Sequence, residues 1–395
     1  MNFASFLLPF IPAGAHPQEP FAGVPYGEER AAKNTALCRW WEHCGLPGRP
    51  QPLTPAPMPR GYRATSKRRV TLSERGLLSL GAADEISPDR CRRSPLEPEL
   101  HNTLWQVLHD RLSTPPYRSL AHALNWLVLR GVQRPFLILN AARRDANAVR
   151  QAKRLIDGIQ RTVRELSGAM LYFDPGRSDY YLEADRPTDG LSVKHLSGPS
   201  LLTLDVPGLR LRYPPTSFSQ VNEAMIPILL DACAESLCPG ETDRFMDLYC
   251  GYGLFSFSLG RQAKEVLAVE LEGASIAAAK ETARRQNLTR RMRFTAARIT
   301  AGALSRILPP VSPLPEVMLL DPPRKGCEPG VIGVLARRVP RRVLHICCGT
   351  DEIADAVRDW TENGYLLEQA RPLDLFAGTA NLETLLTFCP SPSVK

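Results

Sequence analysis

From residue 216 onward, apolar runs of strand length alternate with stretches of helical period. Residues 244–249 form an apolar run that closes in a glycine turn and a helix; residues 265–270 form a second, followed by a helix through 287. Runs at 292–295 and 317–320 come next, and a fifth at 343–346 leads into a helix over 351–363. Short apolar runs separated by helices predict a parallel sheet covered on both faces, with ligands at the carboxyl ends of its strands. The unusual polar residues fall at those ends. The first run finishes in Asp247-Leu248-Tyr249-Cys250-Gly251-Tyr252-Gly253, the second in Glu270, the fourth in Asp321-Pro322-Pro323-Arg324 and the fifth in Cys347-Cys348.

The preceding part of the chain is less regular. Residues 20–46 carry a helical pattern (Ala31, Ala32, Leu37, Trp40, Trp41) that stops near Gly45, and residues 47–59 hold six prolines, an extended stretch that no helix tolerates. Residues 68–72 and 135–140 read as strands, and 100–112 and 145–167 as helices, the second with basic residues on its outer face. The expected organisation is an N-terminal arm, helix and proline-rich linker at 1–59, a middle α/β domain at 60–215, and the α/β ligand-binding domain at 216–395.

Composition narrows this picture without changing it. The chain of 395 residues is long enough for two or three domains, and 44% hydrophobic with 23% charged residues excludes a wholly disordered chain. Lys and Arg total 49 against 41 Asp and Glu, a net charge of +8 that fits a polyanionic partner such as nucleic acid. No stretch approaches the ~20 apolar residues that span a bilayer, so no membrane association is expected. The apolar run at 6–12 has no preceding basic residue and contains prolines, so it reads as an arm rather than a signal peptide. Ten cysteines without a C-x-x-C pair indicate neither a zinc ribbon nor a thioredoxin site, and reduced thiols in a cytoplasm are expected.

Gly251 and Gly253 stand where the chain must turn tightly and let a ligand approach the backbone. Glu270 lies at the tip of the next run, where an acid accepts hydrogen bonds from ribose hydroxyls. Position 256 is Ser rather than the third glycine of a dinucleotide motif, which favours S-adenosylmethionine, a nucleoside cofactor without a pyrophosphate. The two prolines after Asp321 stiffen its loop and fix its direction.

The ordered set Phe218-Ser219-Gln220-Val221-Asn222, Asp247-Leu248-Tyr249-Cys250-Gly251, Asp321-Pro322-Pro323-Arg324, Cys348, Asp374-Leu375-Phe376 and Thr379-Ala380-Asn381-Leu382-Glu383-Thr384 resembles the S-adenosylmethionine-dependent RNA 5-methyluridine methyltransferases. The resemblance implies a class I (Rossmann-like) methyltransferase domain beside an N-terminal/middle α/β domain, and methyl transfer to C5 of a uridine in RNA. Uracil C5 is a poor nucleophile until a thiolate adds to C6, and a base must later remove the C5 proton. By the resemblance Cys348 is that nucleophile, with Cys347 the rival, and Glu383 is that base. Gln220, Tyr249, Glu270 and Asp321, with Gly251 and Gly253, bind the cofactor.

The sequence departs from the family's pattern at Leu254, where Asn is usual, at Gly349-Thr350, at Ala377 and at Asn381, and both a retuned substrate choice and a weakened activity stay open for these changes. Cys91 resembles the fourth ligand of the family's iron–sulfur cluster, but no cysteine precedes Cys38, so no cluster and no metal are expected. Clusters at Arg60, Arg63, Lys67, Arg68, Arg69, at Arg290, Arg291, Arg293 and at Arg337, Arg338, Arg341, Arg342 are solvated faces or, for the first, phosphate contacts. Ribosomal RNA is the expected substrate, with transfer RNA the alternative and the uridine looped out or flipped. A relative that binds RNA without turnover and a small-molecule methyltransferase on the same fold remain open.

Overall fold

The computed structural model describes residues 2–81, 91–143, 145–177, 192–311 and 313–392. The chain divides into two compact units, one of residues 60–202 with 220–223 and the other of residues 1–59, 203–219 and 224–395.

The first unit is a sheet of β1 (Thr65–Leu72), β2 (Leu78–Gly81), β3 (Leu124–Arg130), β4 (Phe136–Ala141), β5 (Gly168–Phe173) and β6 (Val193–Ser197), in the order β2-β1-β3-β4-β5-β6. β4 and β5 are parallel and the other neighbours antiparallel. The helix Ala146–Thr162 provides the crossover between β4 and β5 that parallel strands require. Its apolar stripe, Ala152, Leu155 and Ile159, joins Leu104, Trp105 and Leu108 of the helix Glu99–Leu112 against Leu127, Leu129, Leu137 and Leu139 of the sheet. The stretch expected to present a run of cations is split by the strand's period of two. Arg68 turns to the helix face, 2% exposed, where it is paired bidentately with Glu97 at 2.8 Å and stacked over Trp105. Lys67 and Arg69 turn the other way, over Trp126.

The second unit contains a hairpin, β7 (Leu202–Val206) and β8 (Leu209–Tyr213), and a seven-stranded sheet. Its strands are β9 (Arg244–Leu248), β10 (Glu265–Glu270), β11 (Met292–Ala296), β12 (Glu316–Leu320), β13 (Arg342–Cys347), β14 (Tyr365–Leu373) and β15 (Glu383–Pro390), ordered β11-β10-β9-β12-β13-β15-β14. The first five are parallel as the apolar runs predict, but β15 is antiparallel to β13 and β14 to β15. The sheet is therefore mixed rather than wholly parallel. Its strand order reverses between β10-β9 and β12, the topological switch point where open α/β sheets hold ligands.

Residues 1–59, expected as an arm, helix and linker, are part of this unit. Phe3, Leu7 and Phe21 are buried with Trp40 and Trp41 of the helix Tyr26–His43 in the same core as Met246, Met318 and Phe388. The proline-rich stretch is extended, and its amides go to strand carbonyls, Gln51 to Ala370 at 2.8 Å and Thr54 to Pro372 at 2.9 Å. No helix among the described residues is long and apolar enough to cross a membrane.

Candidate functional site

Three side chains from three strand ends converge beyond the carboxyl edge of the second unit's sheet. Asp321 follows β12, Cys348 follows β13, and Glu383 opens β15. The register explains the meeting. Cys347 pairs with Thr384 across the antiparallel β13–β15 ladder, which brings the residues flanking that pair, Cys348 and Glu383, side by side. The Cys348 sulfur lies 3.5 Å from Asp321 Oδ1, 3.6 Å from Glu383 Oε1 and 3.8 Å from the Pro322 carbonyl oxygen. Cys347 points into the core and is fully buried, whereas Cys348 is part-exposed. The structure thus separates the two candidate thiols by strand alternation.

The site is rich in acids and largely buried. Burial, and then the charges of Glu383, Asp321 and Glu352, push the Cys348 thiol well above the ordinary range. Burial raises Asp321 to about 7, a shift that hydrogen bonding to the thiol opposes. Glu383 is driven well above the usual carboxylate range by burial and then by Asp321, and its Oε2 has no hydrogen-bond partner among the described residues. The guanidinium of Arg324, which lies over the Phe376 ring at 5.9 Å, pulls Glu383 back toward ionisation.

A second group of residues lies at β9 and β10. Glu270 Oε2 accepts from the Gly251 amide at 3.1 Å and Oε1 from the Glu272 amide at 2.9 Å, which fixes the carboxyl at the strand tip. Tyr249 (φ 65°) and Gly251 (φ 53°) are both left-handed, so the chain reverses immediately after β9. A methyl group added at Gly251 would meet nothing within 4 Å, so this turn has open space before it. Gly253 differs. At φ 90° a methyl there would come within 2.8 Å of the Phe257 ring, so this glycine serves packing behind the turn. Asp247 accepts from Ser256 Oγ at 2.5 Å through Oδ2, while its buried Oδ1 has no partner among the described residues. Burial raises Asp247 to about 7 and Glu270 also upward. A carboxyl fixed at the strand tip beside an open turn, with the raised carboxyl of Asp247 behind it, fits a ligand that carries hydroxyls and positive charge.

Gln220 is buried in the other unit, where the adjoining Val221 carbonyl accepts from the Ala64 amide at 2.7 Å and Asn222 bridges to Arg63. Leu254, where a polar side chain was wanted, is buried and apolar. The clusters at 290–293 and 337–342 are largely committed to the fold, with Arg291 donating to the Ala263 carbonyl, Arg338 paired with Glu316 and Arg341 with Asp243. Cys38 is exposed and Cys91 half-buried, in different units. One residue outside the expectations stands at the site. Glu352 accepts from the Gly349 amide at 3.2 Å, and burial pushes its carboxyl up to about 8. No motif announces it, because its position depends on the turn after Cys348 rather than on a strand end.

Residues 201–388 match the model of the tRNA (uracil-5-)-methyltransferase family. An RNA methyltransferase of Gloeobacter violaceus is 26% identical over 373 residues, covering 92% of this chain and 78% of its own length. The 23S rRNA (uracil(1939)-C(5))-methyltransferase of Alkalilimnicola ehrlichii is 34% identical over 182 residues, 46% of this chain and 40% of that protein. Among solved structures, the Pyrococcus abyssi tRNA (uracil-54, C5)-methyltransferase in complex with S-adenosyl-L-homocysteine superposes with a TM-score of 0.68 at 15% identity, over 93% of this chain and 85% of that one. At that identity the likeness is one of fold.

Proposed function

We propose, from the match of residues 201–388 to the tRNA (uracil-5-)-methyltransferase family, that the chain methylates C5 of a uridine in RNA through a covalent bond between Cys348 and C6. The observation that supports this most is the placement of one part-exposed thiol within 3.6 Å of a buried carboxylate whose second oxygen has no hydrogen-bond partner among the described residues.

When bound, S-adenosylmethionine supplies the methyl group on a positively charged sulfur. Glu270, held by two backbone amides, accepts from ribose hydroxyls, and the open turn at Gly251 admits the nucleoside. The S–H proton of Cys348 has two carboxylate oxygens within reach, on Asp321 and Glu383. The thiolate would add to C6, the C5=C6 electron pair would move onto C5, and C5 would take the methyl group as the bond from that methyl to the sulfonium sulfur breaks and leaves a neutral thioether. Glu383 then removes the C5 proton; those electrons re-form the double bond and expel the sulfur. The carboxylates that oppose Cys348 ionisation in the resting site make it depend on the arrival of positive charge. Formation of the nucleophile is thereby coupled to cofactor binding.

Ribosomal RNA is the favoured substrate, since an rRNA enzyme stands among the relatives matched at the highest identity given above. In the other unit, Arg69, His122 and Arg177 line a cavity of about 350 Å³ beside Trp126, a cationic and aromatic surface suited to an RNA strand. Transfer RNA is the second reading, favoured by the description of the family model that residues 201–388 match.

Glu383→Gln tests the scheme. The amide cannot take the C5 proton, so the RNA adduct is expected to accumulate on denaturing gels while turnover falls by ~10²–10⁴. Normal turnover would remove Glu383 from the reaction. Cofactor binding is expected to depend on pH. Asp321 is raised to about 7, so its ionised form, which attracts the sulfonium, grows in as pH rises. Calorimetry should show S-adenosylmethionine affinity increasing through that range and then levelling. S-adenosylhomocysteine, with a neutral sulfur, should respond less, and equal responses would contradict the placement of Asp321 by the sulfonium.

A further inference from the structure

Glu352 has no part in the scheme above, yet its carboxyl is aimed at the backbone that carries the nucleophile. Oε1 accepts from the Gly349 amide at 3.2 Å, and the amide of Cys348 itself also favours the ionised carboxyl. Oε2 lies on the opposite side, buried and with no hydrogen-bond partner among the described residues. It faces the turn after Asp321, where a methyl group added at Gly326 (φ 73°) would come 3.5 Å from it. One side chain therefore stands between the loop that carries the thiol and the loop that carries Asp321. Glu352 belongs to a short 3-10 turn, Thr350–Glu352, which leads into the helix Ile353–Glu362, whose Ile353 and Trp360 are fully buried. The anchor is rigid.

Two other uses of this carboxyl are weaker. His345 and Cys347 have donor atoms within 4.8 Å of it, a set that could hold a metal ion. Trp360 Nε1, however, donates to His345 Nδ1 at 3.2 Å, so the remaining proton sits on Nε2 and that nitrogen offers no lone pair. As a direct base, Glu352 is disfavoured because no contact with the Cys348 sulfur places it there, whereas Asp321 and Glu383 both make one.

We infer that Glu352 is a positioning residue that holds the peptide of Cys348 and Gly349 so that the sulfur stays between Asp321 and Glu383. The inference rests on Cys348 being the nucleophile. Position 349 is glycine, which leaves the nucleophile's loop without a side chain to restrain it. A carboxyl reaching back from three residues on supplies that restraint, as an acid does for the open amides of a first turn. Misplacement of a reacting atom by about 1 Å costs ~10²-fold in rate, so a restraint of this kind is worth that much.

The test compares Glu352→Gln, Glu352→Asp and Glu352→Leu in the full chain, by steady-state methylation of unmodified RNA transcript and by melting temperature. Gln keeps an acceptor at the same reach and should stay within about threefold of the parent kcat. Asp keeps the charge but withdraws the acceptor by one methylene, and should fall ~10- to 100-fold in kcat, as should Leu, with KM for S-adenosylmethionine unchanged. Should Leu fail to fold, the Gln and Asp pair decides. Asp and Leu near the parent value would overturn the role, and Gln as low as Leu would assign the effect to charge instead. A parent enzyme that methylates no uridine would overturn the underlying reading as well, a result separable from parent activity with indifferent variants.

Discussion

Replacing Cys348 with alanine is expected to remove methyl transfer, by ~10⁴-fold or more, while leaving the cofactor's affinity within a few-fold of the parent value. The size follows from the chemistry. Without a thiol there is no addition at C6, and the remaining groups cannot make C5 nucleophilic. Retained affinity follows from geometry, since the open turn at Gly251 and the fixed carboxyl of Glu270 belong to β9 and β10, whereas the sulfur's neighbours are Asp321, Pro322 and Glu383. Cys347→Ala is the control. Its side chain is fully buried in the core cluster of the sheet, so the cost should appear as lost stability, with the catalytic rate of the folded enzyme largely kept. Single-turnover assays with radiolabelled methyl donor measure both. Loss of turnover in Cys347→Ala with survival in Cys348→Ala would exchange their roles.

The second large effect is expected far from the reacting atoms. Lys33 is fully buried, 2.8 Å from Glu29 and 2.8 Å from Asp374, both also fully buried. Glu29 in turn accepts from the Gly378 amide at 2.5 Å, and the Phe21 amide donates to the Gly378 carbonyl at 3.0 Å. The helix Tyr26–His43 is thereby fastened to residues 374–378, the segment that leads into β15 and contains Phe376 beneath Arg324. Lys33→Leu leaves two buried carboxyls without their cation, a loss of ~3–5 kcal/mol. The melting temperature should fall by roughly 10 °C. Activity should fall even at temperatures where the variant is folded, because the same segment sets the position of Glu383. A variant with unchanged melting temperature and turnover would show that the network neither stabilises the unit nor supports the site.

Much of this could be read from residues, and the exceptions have physical causes. The apolar runs at 244–248, 265–270 and 316–320 are buried on both faces, which is why their sequence is continuous and their position plain. The pair β14 and β15 was not expected. β14 contains Glu368, Arg371 and Pro372 and is bulged between Leu367 and Gln369, and β15 begins with a charged residue and ends in proline. Those features belong to an edge strand and to a strand that opens into a site, and both suppress the apolar signal. The consequence is direct, since it is the antiparallel register of β15 that brings Glu383 to Cys348. Arg68 was legible in principle. A period of two separates it from Lys67 and Arg69, and only contact with Glu97 tells which face is inside. Lys33 and Glu29 lie one helical turn apart, and nothing local reveals that Asp374, 341 residues on, covers them. Glu352 was invisible for the same reason, its meaning lying in the turn it closes.

The proposed reaction depends on a covalent bond from the sulfur of Cys348 to C6 of uridine. The most direct measurement is to incubate the protein and S-adenosylmethionine with RNA containing 5-fluorouridine, whose C5 fluorine cannot be removed as a proton, then digest and sequence the cross-linked peptide by mass spectrometry. A methylated 5-fluorouridine attached at Cys348 is the result expected. A cross-link at Cys347 or another residue, or none from a preparation that methylates ordinary RNA, would contradict it.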